Sequence, residues 1–393
     1  MPTRAVDTVR PIHGTVCQGT LMSAIEILDH HVVYDNPIPQ VRSRHGYFPG
    51  LAVLPSGDLL ALFMMSEALD AANATTMVSR SKNQGATWTL EGSLHRKSPE
   101  HVHDSDYLKP LVLGDGSLIA TGYRFHRTDP DQTLANPKTD GMRDGENLVS
   151  FSQNEGRTWA HPEVIARTCP ELIEASGPAI LTRSGSILTG GSLFPMWDGS
   201  HPTGFVGVLL RSGDGGRTWD DSGRFFRDPN GRYMPSEPRF CEMQEGRLVS
   251  LVWTTDHAGG KNITNHVTVS HDDGAAWSDP IDTGVWGQAS NLIHLGGDTL
   301  LTIHSHRDGS VGEVGLFVRI VDLAGDRWRI VEECKIWGNA PSADIGSYAE
   351  MAKRLKFGQP SLLSVENGVV LATHWAVEDG QGRILTHRLR IAP

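Results

Sequence analysis

Glu237 and Arg239 sit together in the segment Ser-Glu-Pro-Arg-Phe-Cys-Glu-Met, the stretch of this chain most suggestive of chemistry. A carboxyl group there can protonate a leaving oxygen, activate a water or stabilise developing positive charge, and such work usually needs a second carboxyl group. Asp70 is the candidate for that partner. A different chemistry is offered by His45 and Tyr47, with Arg44 just before them. A His and a Tyr can move a proton beside a carboxylate, provided that Arg44 or Lys109 neutralises that carboxylate and lowers the cost. Asp106, Glu174, Arg239, Gln288, Gln359 and His374 supply hydrogen-bonding groups for a polar ligand, and Trp253 supplies a flat apolar face. His304 and His306, two residues apart on a strand, would share one face, but no further ligands complete a metal site, so neither a metal nor another cofactor is expected. Each residue also has an ordinary reading: Glu237 and Arg239 as a buried pair, Asp70 as a surface-loop acid, the histidines as satisfied structural groups.

Two interleaved repeats indicate what must position these residues. Four octapeptides share Ser, Gly and a final Trp: Ser81 to Trp88, Ser152 to Trp159, Ser212 to Trp219 and Ser270 to Trp277, spaced by 71, 60 and 58 residues. Each follows β-type residues and suits a hairpin turn, with Asn or Asp bonding the turn backbone, Gly taking positive φ and Trp covering the joint. Out of step with them run six apolar strand pairs whose turn glycines are Gly57, Gly116, Gly185, Gly246, Gly297 and Gly368. Six units of about four strands predict an all-β protein, a six-bladed β-propeller of four-stranded antiparallel blades forming one domain. The last unit has room for only three strands, and residues 24–35 before the first could supply the fourth and close the ring. The predicted division is therefore an amino-terminal arm, residues 1–23, and a propeller, residues 24–393. In such a ring the residues just before each innermost strand, and just after its partner, rim the central funnel, which is where the candidate residues fall.

At this point the chain resembles the sialidase superfamily of six-bladed propellers, whose octapeptides are called Asp-boxes. The resemblance implies functional positions residue by residue. The family's Asn-Glu-Pro/Ser motif matches at Glu237, the glutamate that assists the nucleophile, and the acid/base aspartate of the loop before the first box matches at Asp70. The first carboxylate-clamping Arg is replaced by Tyr47, the second by Trp253, and the nucleophilic Tyr by Gln359. Arg44 is a displaced substitute for the first. A sialic acid carboxylate held by guanidiniums is not held by Tyr and Trp, which lack the bidentate charge-assisted bonds.

The resemblance therefore implies a sialidase-like carbohydrate-active enzyme that is not a conventional sialidase. The first expectation is an exo-acting glycoside hydrolase on a small glycoside or oligosaccharide, acidic ones included, with Asp70 and Glu237 as its carboxyl groups. The alternative is a lyase on a uronic-acid glycoside using His45, Tyr47 and the Arg residues, and a third is a non-catalytic carbohydrate-binding propeller. The remaining composition narrows partners. Of 393 residues 46 are acidic and 35 basic, a net charge of −11, with no basic run to suit a nucleic acid. No apolar stretch reaches membrane-spanning length and no secretory signal stands out. Cys17, Cys169, Cys241 and Cys334 lie far apart and read as reduced thiols, so a cytoplasmic address is expected.

Overall fold

The computed structural model describes residues 23–244, 246–338, 355–365 and 368–392. It is a six-bladed propeller, each blade a four-stranded antiparallel sheet. Blade one is β2 (His45–Val53), β3 (Leu59–Ser66), β4 (Thr75–Ser81) and β5 (Thr89–Ser93). Blade two is β6 (Ser105–Val112), β7 (Leu118–Phe125), β8 (Gly145–Ser152) and β9 (Glu163–Ile165). Blade three comprises β10 (Ile180–Leu181), β11 (Ile187–Gly191), β12 (Val206–Ser212) and β13 (Asp220–Arg227). Blade four comprises β14 (Tyr233–Gln244), β15 (Arg247–Asp256), β16 (Lys261–Ser270) and β17 (Ile281–Asp282). Blade five is built from β18 (Ser290–Gly296), β19 (Thr299–His306), β20 (Gly315–Asp322) and β21 (Arg329–Trp337). Blade six takes β22 (Phe357–Ser364), β23 (Val369–Glu378) and β24 (Gln381–Ile391), and its fourth strand is β1 (Ile25–Tyr34) from the other end of the chain. β1 pairs antiparallel with β24 from Ile25↔Ile391 to Tyr34↔Ile384, the expected closure. A ring closed this way hides the hydrogen-bonding edge that an open sheet would expose.

The apolar strand pairs bury both faces because each blade is sandwiched between two others. β3 and β7 are buried almost throughout, and the core forms a series of apolar clusters between successive blades. Continuous apolar runs, rather than simple alternation, are what a doubly covered strand requires. The octapeptides are hairpin turns joining the third and fourth strands of blades one to four. In each, the serine Oγ accepts the glycine N–H, at 2.9 Å in the first three and 2.8 Å in the fourth. The tryptophan Nε1 donates back to the glycine carbonyl at 2.8–3.1 Å. These glycines have φ between 76° and 89°. A Cβ on Gly156 would meet Leu60 of the preceding blade at 3.1 Å, and one on Gly216 would meet Ile119 at 3.5 Å. The turns thus brace one blade against the last.

Cys169 and Cys241 are free and buried. Cys334 is disulfide-bonded, which corrects the reading of four reduced thiols; the argument from thiols to a reducing compartment goes with it. Among the described residues no helix is long and apolar enough to cross a membrane. The arm read into residues 1–23 lies almost entirely outside the described residues.

Candidate active site in the propeller funnel

The funnel is shaped by an irregularity repeated in three of the innermost strands. β2, β14 and β22 each carry a register break, between Tyr47 and Gly50, Ser236 and Arg239, and Gly358 and Ser361. At each break a residue preceding proline takes positive φ: Phe48 at 53°, Glu237 at 46° and Gln359 at 37°. Left-handed backbone is uncommon outside glycine and is further disfavoured before proline, so these positions are strained. A bulge re-aims a side chain that a regular strand would direct into a neighbouring blade.

Glu237 is the centre of the resulting cluster. Gln359 of blade six donates its side-chain amide to Glu237 Oε1. The Glu237 N–H donates to Glu174 Oε2 of blade three at 3.2 Å, and the Ser192 hydroxyl donates to the same oxygen. Arg239, 3% exposed, lies beneath, its Nη1 donating to the carbonyls of Pro238 and Glu237 at 2.8 and 3.2 Å and to Ser176 Oγ at 3.3 Å. Gly177 makes this close approach feasible, since a Cβ there would stand 2.8 Å from the Pro238 carbonyl oxygen. Lys109 of blade two, also buried, donates to the carbonyl of Phe48. Aromatic rings form the wall on the side of blades one, two and six. Tyr47 meets Trp375 edge-on at 5.1 Å, Phe48 lies 5.8 Å from Tyr107, and Tyr107 stacks on Tyr123 at 5.0 Å.

Burial and neighbouring charge shift several groups of this cluster away from their ordinary pKa values. Burial, followed by the negative charge of Glu237, pushes the Glu174 carboxyl up to about 7; the Ser192 hydroxyl, the Glu237 N–H and Arg239 only partly offset this. Burial and the nearby Arg239 hold the Lys109 ammonium well below its ordinary range, against the pull of Glu237. Burial, and then the charge of Asp70, raises the Tyr47 hydroxyl; Tyr107 is raised by the same two causes in the same order. Asp70 is thereby placed near these two tyrosines, on blade one, which the ring order sets across the axis from blade four.

The structure brings Glu237, Glu174, Arg239, Lys109 and Gln359 together, and sets Tyr47 and Asp70 on the facing side. Two further predicted residues form a second part of the rim. Arg307, following β19, packs its guanidinium 5.7 Å from the Trp253 ring centre and donates from Nε to Gln288 Oε1 at 3.1 Å. Trp253 also donates to Asn262 Oδ1 at 2.9 Å.

Other predicted residues lie elsewhere, each for a physical reason. Asp106, 2% exposed, is clamped between blades by the Thr76 N–H and hydroxyl, both at 2.7 Å, and by His95 at 3.2 Å. Burial would raise its pKa, but the His95 hydrogen bond and the charges of Lys97 and His95 bring it down to about 2. Its hydrogen bonds tie β6 of blade two to Thr76 and His95 of blade one. His374 is fully buried in blade six, its ring stacked on His387 at 5.3 Å, and burial lowers it to about 4. His304 is also fully buried and held neutral, with neither ring nitrogen hydrogen-bonded among the described residues. His306 Nδ1 engages the Glu313 carbonyl, and the pair gathers no third metal ligand among the described residues. His45 has both nitrogens engaged, Nδ1 accepting the Gly382 N–H and Nε2 meeting the Ser43 hydroxyl, each at 2.8 Å, and burial lowers its pKa. Arg44 borders a separate groove of about 500 Å³ on blade one with Arg42, Met65 and Glu67.

Sequence reasoning missed Phe48 and Ser192. A signal for the first was present: Pro49, Pro238 and Pro360 each precede the turn glycine of their strand pair by eight residues, marking the residue before each as a bulge aimed at the axis.

No family model and no curated protein matches the chain. Among solved structures, a protein of unknown function from Dyadobacter fermentans superposes with a TM-score of 0.71 at 20% identity, over 94% of this chain and all of that one. An α-L-arabinanase from Penicillium chrysogenum complexed with arabinobiose gives a TM-score of 0.62 at 15% identity, over 93% of this chain and 99% of the other. A Trypanosoma rangeli sialidase mutant displaying trans-sialidase activity gives 0.60 at 17% identity, over 88% of this chain and 54% of the longer enzyme. The fold is thus the six-bladed propeller shared by sialidases and an arabinanase, as the octapeptides and strand pairs indicated.

Proposed function

We propose that the chain is an exo-acting glycoside hydrolase working on a small glycoside, with the Glu237 funnel as its active site. The observation that carries this reading is the Glu174–Glu237 pair, in which the Glu237 N–H donates to Glu174 Oε2 at 3.2 Å and burial, followed by the charge of Glu237, raises the Glu174 carboxyl to about 7. Glu174 in its protonated form can deliver a proton to a leaving oxygen, while the Glu237 carboxyl group stabilises the positive charge that develops as the glycosidic bond breaks. Asp70, across the axis, is the carboxylate that activates the incoming water. Donor and base on opposite walls suit a single displacement with inversion. Gln359 in place of a nucleophile is consistent with this, because a carboxamide forms no glycosyl ester and instead orients Glu237. The buried Arg239 guanidinium balances the carboxyl pair, and the polar groups around it favour substrates carrying acidic or strongly hydrogen-bonding groups.

The test is turnover of a panel of acidic and neutral glycosides, with products followed by mass, ultraviolet absorbance and the anomeric signal in proton NMR. Products heavier by one water in total, appearing with inverted configuration, support the reading. An unsaturated product that conserves mass replaces it with elimination. Binding without turnover replaces it with a carbohydrate-binding propeller.

A further inference from the structure

A second cluster lies outside the carboxyl pair, on the loops above blade two. His101 ends the short turn before β6, Asp104 directly precedes that strand, and His126 directly follows β7. His101 Nδ1 and His126 Nδ1 both point at Asp104 Oδ2, at 2.8 and 2.9 Å, and their rings run nearly parallel, 29° apart. Two imidazole nitrogens and one carboxylate oxygen thus converge on one point, all within 4.8 Å of one another. We propose that His101, Asp104 and His126 bind a single divalent cation of the zinc type through two nitrogens and one oxygen, leaving a fourth position for water.

Zinc takes imidazole nitrogen and carboxylate oxygen at about 2.0–2.2 Å, which separates neighbouring tetrahedral ligands by about 3.3 Å. The present spacings of 2.8 and 2.9 Å need to open by about half an ångström. His101 has a side chain 30% exposed, and its loop can supply that movement.

The surroundings match those of ligand groups in a metal site. The second oxygen of Asp104 accepts the Arg127 N–H at 3.0 Å, which fixes the carboxylate for monodentate binding. The far nitrogen of His126 faces Glu146 Oε2 at 3.6 Å, the carboxylate behind imidazole that orients many metal-bound histidines. Arg124, whose Nε lies 3.8 Å from Asp104 Oδ2, opposes a cation, but its Nε bonds Glu146 at 2.8 Å and draws the guanidinium aside. The cation would join the turn before β6 to the start of the 126–144 loop. That loop continues to blade three, where Met142 N–H bonds the Pro195 carbonyl at 2.9 Å and Thr139 Oγ1 bonds the Trp197 carbonyl at 2.8 Å. It would therefore stiffen one side of the funnel mouth.

The experiment titrates the chelator-treated full chain with zinc by calorimetry and with cobalt by visible absorbance. One equivalent bound, a d–d absorption of tetrahedral strength, and loss of at least 100-fold in affinity in the His101→Ala/His126→Ala double variant are expected. No saturable binding by the wild-type protein overturns the proposal, as does wild-type affinity in the double variant. If the double variant does not fold, Glu146→Gln takes its place, with zinc affinity expected to fall about tenfold; unchanged affinity there overturns the proposal.

Discussion

Two carboxylates of this propeller, Asp106 buried and Glu174 partly buried, are surrounded by similar groups and behave in opposite ways. Asp106, between blades one and two, accepts two hydrogen bonds from Thr76 and one from His95, with Lys97 3.7 Å away. These donors and the charges of Lys97 and His95 outweigh burial, and the pKa falls to about 2. Glu174, between blades three and four, has donors as well, yet burial and then the neighbouring charge of Glu237 outweigh them, and its pKa rises to about 7. A satisfied carboxylate holds sheets together, whereas one facing a like charge keeps a proton that can be given away. The same contrast separates His374 and His45, tied into blade packing, from the strained Glu237, which the bulge turns inward.

The comparison is most directly broken at Glu237. Glu237→Gln should lower kcat by about 10³-fold, in the range of a lost acid–base group, with the melting temperature little changed; a collapse of the fold with no separate kinetic effect would make Glu237 structural. Asp106→Asn should do the reverse, costing about 2–4 kcal/mol of stability through its orphaned donors, measured by denaturant unfolding, while any folded fraction keeps its specific activity. Because the folded pKa of Asp106 is depressed, its stabilising contribution is present above the ordinary Asp value near 4 and is lost as pH falls toward 2. Gly156→Ala should cost about 1–2 kcal/mol, since φ is 76° and Leu60 stands at 3.1 Å; an unchanged unfolding midpoint would remove the octapeptide glycine from the bracing role.

Glu174→Gln sharpens the contrast through pH. A carboxyl group raised in the folded state binds more protons folded than unfolded, so stability falls as pH rises from about 4.5 to about 7 and the penalty is complete above that. The variant should therefore melt a few degrees higher than wild type at pH 8 and show no gain at pH 4, while losing activity; equal melting curves at pH 8 would place the pair's proton elsewhere. The smallest effect is expected at His45. His45→Ala should alter kcat/KM less than about threefold, and a loss comparable to that of Glu237→Gln would revive elimination.

The repeats made the blades legible. Turn glycines at regular intervals and Ser-to-Trp octapeptides are local devices whose backbone demands are written in residue type, so the blade count and the closing strand before His45 follow from the chain alone. Glu237 was legible through the Ser-Glu-Pro-Arg segment and its match to the family motif. The rest of the site was not. Strand-end position singled out Asp106, Glu174, His304 and His374 equally, because the sequence does not say which way a side chain at a strand terminus leaves the sheet. Cys334 was likewise misread, since spacing along the chain does not report which sulfurs meet.

What the sequence determined, then, was periodicity: which segments pair, where they turn and how the ring closes, all properties of short-range backbone chemistry. Only the tertiary structure decided which ionisable groups face one another across blades. It placed Glu174 against Glu237 and Asp106 against His95, from segments 63 and 11 residues apart. The charge state of each group follows from that meeting, because burial and neighbouring charge are properties of the assembled ring and not of any one strand.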